Sequence, residues 1–150
     1  MPLPKRVSIL FFIGIFAAGS TALGYYYYFV YEPPLRAAEK FMADMDNANQ
    51  NALYNDVVVS TGLDSGNLRE PEESDIRSLL SDHFKRGRIL DQHTREGRTR
   101  DYYYLVYREP DGRVYAMVVT EYEGRFRVVI PEPHQSSRRH RYLWDYTWTN

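Results

Sequence analysis

Residues 100–130 read RDYYYLVYREPDGRVYAMVVTEYEGRFRVVI, and the organisation of the chain follows from them. Aromatic and β-branched runs are broken at Pro110-Asp111-Gly112 and at Glu123-Gly124, both of which are turn chemistry. Upstream, Glu96-Gly97-Arg98 separates one more run. Four strands are therefore expected, over about 88–94, 99–109, 113–123 and 125–130. Links this short between long strands imply an antiparallel meander, since parallel neighbours need a crossover.

A sheet covered on one side alternates apolar and polar residues. Here both phases are apolar. Tyr102, Tyr104 and Val106 share one face, and Tyr103, Leu105 and Tyr107 the other. Val114, Ala116, Val118 and Tyr122 likewise oppose Tyr115, Met117 and Val119. The expected strands thus need cover on both sides, and uncovered apolar area of that extent marks a binding surface. The chain's own tail, a second copy or another subunit are the candidate covers, with Tyr103, Tyr107 and Tyr115 as partner-binding residues.

Two helices are expected before the sheet. Glu32-Pro33-Pro34 suits a first helical turn, where backbone donors are unpaired anyway. Leu35, Ala38, Met42, Met45 and Ala52 recur at helical spacing to about Tyr54, with Arg36, Glu39, Lys40 and Asp44 off that stripe. The short run Val57-Val58-Val59 and a polar loop over 60–69 follow. The second helix has Pro71, Glu72, Glu73 and Asp75 at its start, Ile76, Leu79, Leu80 and Phe84 on one face, and Lys85 and Arg86 before Gly87, which complements the helix dipole. The expectation for 32–131 is an α+β roll: two helices covering a four-stranded antiparallel sheet.

That element order resembles the cystatin-like and nuclear-transport-factor-like rolls, a group that includes many small bacterial envelope domains behind an anchor. Some relatives are isomerases or dehydratases with acids and histidines inside the cone. No position in this chain matches such a site residue by residue.

Residues 7–31 carry no ionisable side chain other than tyrosine. About 25 helical residues at ~1.5 Å each reach roughly 37 Å, against a ~30 Å hydrocarbon core. The expectation for 1–31 is a cytoplasmic tip and a single transmembrane helix. Lys5 and Arg6 would hold the N-terminus in the cytoplasm, and Tyr25, Tyr26, Tyr27, Tyr28 and Tyr31 would mark the far interface. Gly14, Ala17, Ala18 and Ala22 are small enough for close helix packing. This places the protein in the cell inner membrane, single-pass, with its roll in the periplasm. The alternative is a secretory signal peptide cleaved at Ala22-Leu23-Gly24.

The segment 132–150 is basic and then aromatic: Arg138, Arg139 and Arg141, then Tyr142, Trp144, Tyr146 and Trp148. Disordered tails are poor in aromatics, so this one is expected to dock, either on its own domain or on a partner. The 14 tyrosines in 150 residues suit protein contacts. Absence of cysteine excludes disulfides, thiol catalysis and cysteine-ligated metal, and a net charge of -1 implies no steering toward nucleic acid. No phosphate loop, nucleophile elbow or zinc helix is present. His83 reads as a core histidine; Asp82 and His83 with Asp91 and His93 form the one acid/base grouping worth noting. The expected function is a non-catalytic accessory subunit, without cofactor or nucleic acid. It would brace a larger integral membrane complex, with a respiratory or photosynthetic host as one case, and the lipid bilayer and other subunits as partners. The alternatives are a membrane-anchored ligand-binding or sensing domain, and an envelope enzyme using Asp82, His83 and His93 in a roll cavity.

Overall fold

A computed structural model describes the backbone of residues 5–61, 67–132 and 140–145, and the side chains of 13–29, 31–61, 67–132 and 140–144. The chain forms two units, Met1–Pro33 and Pro34–Asn150.

The first unit is helix α1, Lys5–Tyr26, continued by a π-helical turn over Tyr27–Tyr31. Within α1 the hydroxyls of Ser20 and Thr21 donate to the carbonyls of Phe16 and Ala17, four residues back, at 2.8 and 2.9 Å. In the wide turn the amide of Glu32 reaches the carbonyl of Tyr27, and the rings of Tyr27 and Tyr31 stack with centroids 5.8 Å apart. Among the described residues no helix is long and apolar enough to cross a membrane. This overturns the transmembrane helix expected over 7–31, and with it the single-pass, inner-membrane and periplasmic assignments. The physical reason is that uncharged is not the same as apolar. Beyond Ala18 the helix runs through Gly19, Ser20, Thr21 and Gly24 into four tyrosines, whose phenols are amphipathic.

The second unit is α+β, but it has three helices and a mixed sheet where two helices and four antiparallel strands were expected. Helix α2, Glu32–Asp46, buries Pro34, Ala38, Phe41, Met42 and Met45. The chain then breaks at Ala48, whose φ is +48°, and Asn49 caps helix α3, Gln50–Asp56, by accepting from the amide of Ala52. α3 runs directly into strand β1, Val57–Ser60, which is buried throughout. β1 lies parallel to β6, Arg125–Pro131, with Val57 opposite Val128 and Val59 opposite Ile130, and antiparallel to β2, Leu68–Arg69. Helix α4, Glu73–Ser81, starts in a capping box in which Glu72 and Asp75 each accept from the other's amide. Strands β3, Arg88–Glu96, β4, Asp101–Arg108, and β5, Val114–Tyr122, lead into β6 as an antiparallel meander. The β5–β6 turn has positive φ at Glu123 and Gly124, as a two-residue hairpin of matching twist requires. A last strand, β7, Trp144–Asp145, pairs with β5 at Ala116 and Tyr115, giving seven strands in the order β2-β1-β6-β5-β4-β3 with β7 beside β5.

One face of this sheet carries Val57, Val59, Leu105, Met117, Val119 and Ile130 against Phe41, Met42, Leu53, Ile76 and Leu79 of the helices. The opposite face forms a second buried cluster of Val58, Tyr102, Tyr104, Ala116, Val118, Val129 and Trp144. At the helix side, Tyr107 is fully buried, donating its hydroxyl to the carbonyl of Lys85 at 3.0 Å and accepting from the amide of Gly87 at 2.6 Å. Gly87 is required there, because a Cβ would overlap the Tyr107 ring and the Arg108 carbonyl.

The α2–α3 pairing carries one charge device. Lys40 donates to Asp44 at 2.8 Å and to the buried Asp56 at the end of α3. Burial raises Asp56 to about 6, helped by the neighbouring Asp44 and opposed by Lys40, whereas the Lys40 hydrogen bond lowers Asp44. Between 3.8 and about 6 the folded chain therefore binds more protons at Asp56 than the unfolded chain does, and stability falls as pH rises through that window. Asp44 acts in the opposite sense and only below the ordinary carboxylate range. Thermal melts across pH 4 to 7 test this: the fall should be present in the parent and flattened in Asp56→Asn, which keeps an acceptor for Lys40.

Candidate functional site

Several charged residues of the second unit, Arg69, Asp75, Asp82 and Arg141 among them, meet at helix α4 and the segment 140–145 that folds back over it. Asp75, in the first turn of α4, has no solvent exposure. Its Oδ2 accepts from Arg69 Nη1 at 2.8 Å and from the amide of Glu72 at 2.9 Å, and its Oδ1 accepts from Arg141 Nη2 at 3.0 Å. Burial alone would raise this carboxyl, but the bonds from Arg69, the Glu72 amide and Arg141 outweigh it and hold the acid below its ordinary value. Arg141 also donates to the carbonyls of Asp75 and Pro131 at 3.2 and 3.0 Å, while its own amide donates to Asp82 Oδ2 at 2.9 Å. Arg141 thus runs along α4, backbone at the helix's C-terminal end and guanidinium in its first turn.

The residues after it follow suit. Tyr142 is fully buried, its ring 5.7 Å from Phe41 and 5.4 Å from Phe84. Trp144 crosses to the opposite cluster of the sheet and donates its indole N–H to the carbonyl of Val129 at 2.9 Å. β7 occupies the first half of β5, whose second half is the part paired with β6.

His140, just before Arg141, forms one wall of a half-open cleft of about 530 Å³. Ser81, Asp82, His83 and Lys85 line it from the end of α4, and Glu109, Pro110 and Asp111 from the β4–β5 turn. Glu109 is 6 % exposed, and its Oε1 lies 2.8 Å from His140 Nε2; the other ring nitrogen, Nδ1, is buried without a hydrogen-bond partner. The turn is held by the Glu109 amide on the Arg113 carbonyl at 2.9 Å and by Asp111 Oδ1 accepting from the Arg113 amide at 3.0 Å.

Of the expected acid/base group, the structure brings Asp82 and His83 into this cleft. His93 stays on exposed β3 with Asp91 at 3.4 Å. His83 is exposed beyond the end of α4, not a core histidine on it. Of the expected partner-binding residues, Tyr103, Tyr107 and Tyr115 pack on the helix-covered face, and Arg141, Tyr142 and Trp144 are buried against their own domain. Arg138, Arg139, Tyr146 and Trp148 lie outside the described residues, as do the side chains of Lys5 and Arg6. Gly14, Ala17, Ala18, Ala22 and Tyr25 to Tyr28 are exposed on the first unit, except that Tyr31 is half-buried. Sequence reading missed Asp75, Arg69, Glu109 and His140. Asp75 meets Arg141 66 residues on and Glu109 meets His140 on the returning tail, and no local signal announces such pairs; Arg69 lies only six residues from Asp75, but nothing in the residues between marks the contact. No family model, curated protein or solved structure matches the chain.

Removing one partner of a buried charge pair leaves the other uncompensated, at a cost of about 3–5 kcal/mol. Arg141→Ala should lose stability of that order in urea unfolding. Both tryptophans lie in the tail, so emission should shift red in this variant under conditions where the parent is folded.

Proposed function

We propose that the protein is a non-catalytic accessory subunit of a larger protein assembly, docked through its N-terminal helix. The observation that carries this reading is the distribution of exposed apolar side chains. In the first unit Ile13, Ile15, Phe16, Leu23, Tyr25 to Tyr28 and Phe29 are 48 to 79 % exposed. In the second unit, Leu90 is the large hydrophobic residue left at comparable exposure among the described residues. A single helix has no core of its own in which to bury such a surface, and apolar area of this extent marks an interaction site. Gly14, Ala17, Ala18 and Ala22 lie among these residues and permit a partner helix to approach closely, since interaxial distance is set by side-chain size at the contact.

Native mass of the chain isolated from its own source tests the proposal. The parent should run in a defined assembly well above its own 17.7 kDa, with fixed stoichiometry. Phe16→Glu with Leu23→Glu should release a folded single chain. An unchanged native mass in that double variant, or a parent that runs alone, overturns it.

A further inference from the structure

We propose that the sheet face opposite the helices binds a phosphate group, free or esterified, between Arg100 and Arg127. The register of the strands collects the positive charge. Arg95 lies opposite Tyr102, Tyr102 opposite Thr120 and Thr120 opposite Arg127, so these four share one row of that face, and Arg125 lies opposite Tyr122 in the next row on it. Arg100, just before β4, joins them through Tyr122: its guanidinium carbon is 5.7 Å from the centre of that ring, and the Arg127 carbon 5.3 Å. Of the four arginines, Arg127 is the one with an ion pair among the described residues, to Glu70 at 2.7 Å. Of the acids that share a cavity with Arg100, Asp101 and Glu121 alternate onto the helix side of their strands and Glu123 lies in the β5–β6 turn; none of them pairs with it.

Unmatched donors show what the cluster lacks. A buried polar group without a partner is costly, and folded proteins carry few of them. Three meet here: Arg100 Nε, Arg127 Nε and the Tyr102 hydroxyl are buried with no hydrogen-bond partner among the described residues. Tyr102 is 4 % exposed and Arg127 5 %. Both guanidiniums lie over the Tyr122 ring, and the charge of Arg100 acts on the Tyr102 phenol, opposing the rise that burial imposes on it. All three groups donate, and each Nε belongs to the fork with which a guanidinium grips an oxyanion through two parallel bonds. Entry is open because Arg100 is half-buried and rests on an aromatic ring, not on a carboxylate. Stacking on Tyr122 as the whole role of the pair accounts for less. It sets two like charges on one ring, and a bridging water would satisfy a donor without offsetting that charge.

The test is calorimetric titration of the full chain with inorganic phosphate at neutral pH and fixed ionic strength, with acetate as the control. Saturable one-to-one binding of phosphate is expected, and none of acetate. Glycerol phosphate in parallel identifies the source, since tighter binding than phosphate supports an ester and weaker binding the free ion. Tyr102→Phe keeps the ring and removes the hydroxyl. Its melting temperature should hold or rise, because a dry hydroxyl is lost, while phosphate affinity falls about tenfold. Arg100→Lys keeps the charge and loses the fork, with a similar fall expected. No saturable phosphate binding up to about 10 mM overturns the proposal. So does equal binding of acetate, or parental affinity in either variant; Arg100→Lys decides the matter should the Tyr102 variant fail to fold.

Discussion

A carboxylate without access to water is the constraint on which the second unit is organised. Asp75 keeps its charge only if Arg69, the Glu72 amide and Arg141 are all in place, because an unmatched buried charge is far more costly than a matched one is favourable. Each donor comes from a different part of the chain. Arg69 ends β2, Glu72 precedes α4, and Arg141 belongs to the returning tail, with Pro131 at the end of β6 sharing the same guanidinium. Satisfying one side chain therefore requires β2, α4, β6 and the tail to be assembled together.

The sheet shows why the tail must return. β1 enters parallel to β6 and draws that strand to the far side, so β6 pairs with β5 only from Val119 to Tyr122. The first half of β5 would be left with an open edge, and β7 fills it through Ala116 and Tyr115. The same segment plugs both hydrophobic layers, Tyr142 on the helix side and Trp144 on the other. The Tyr142 hydroxyl is buried there without a hydrogen-bond partner, whereas a tyrosine is best suited to an interior position where its hydroxyl finds one. Tyr107 shows how: burial pushes its phenol up to about 12, and the hydroxyl meets the Lys85 carbonyl and the Gly87 amide.

What the sequence made legible was what is local. The separators Pro110-Asp111-Gly112 and Glu123-Gly124 mark real turns because their residue types answer to backbone geometry within the turn itself. The break between α2 and α3 was not legible, since it depends on Ala48 adopting a positive φ that its residue type disfavours. Val57-Val58-Val59 read as a bare apolar run, with Ser60 in the loop after it, because the role of 57–60 as a strand comes from pairing with residues some seventy positions on. For the tail, aromatic content indicated docking but not where. The cis site exists only once Asp75, Asp82 and Val129 have been brought together by the fold. Over 7–31 the reading failed for a different reason: it counted missing charges where the relevant quantity was transfer free energy, which glycine, serine, threonine and tyrosine dilute.

Closing both faces of the sheet with the chain's own residues has a consequence for where recognition can occur. A sheet with two apolar faces is ordinarily a candidate interface, but among the described residues the apolar clusters on both faces are buried, one under the helices and the other with Trp144, while β3 at the edge stays largely exposed. Among the described residues the exposed apolar surface left for interaction is then largely on the first unit. The first unit offers exposed aliphatic and aromatic surface, which suits a protein partner of similar character. Since His140 lies next to Arg141, its contact with Glu109 and the bonds of Arg141 to Asp75 and Asp82 hold the same short segment of the tail.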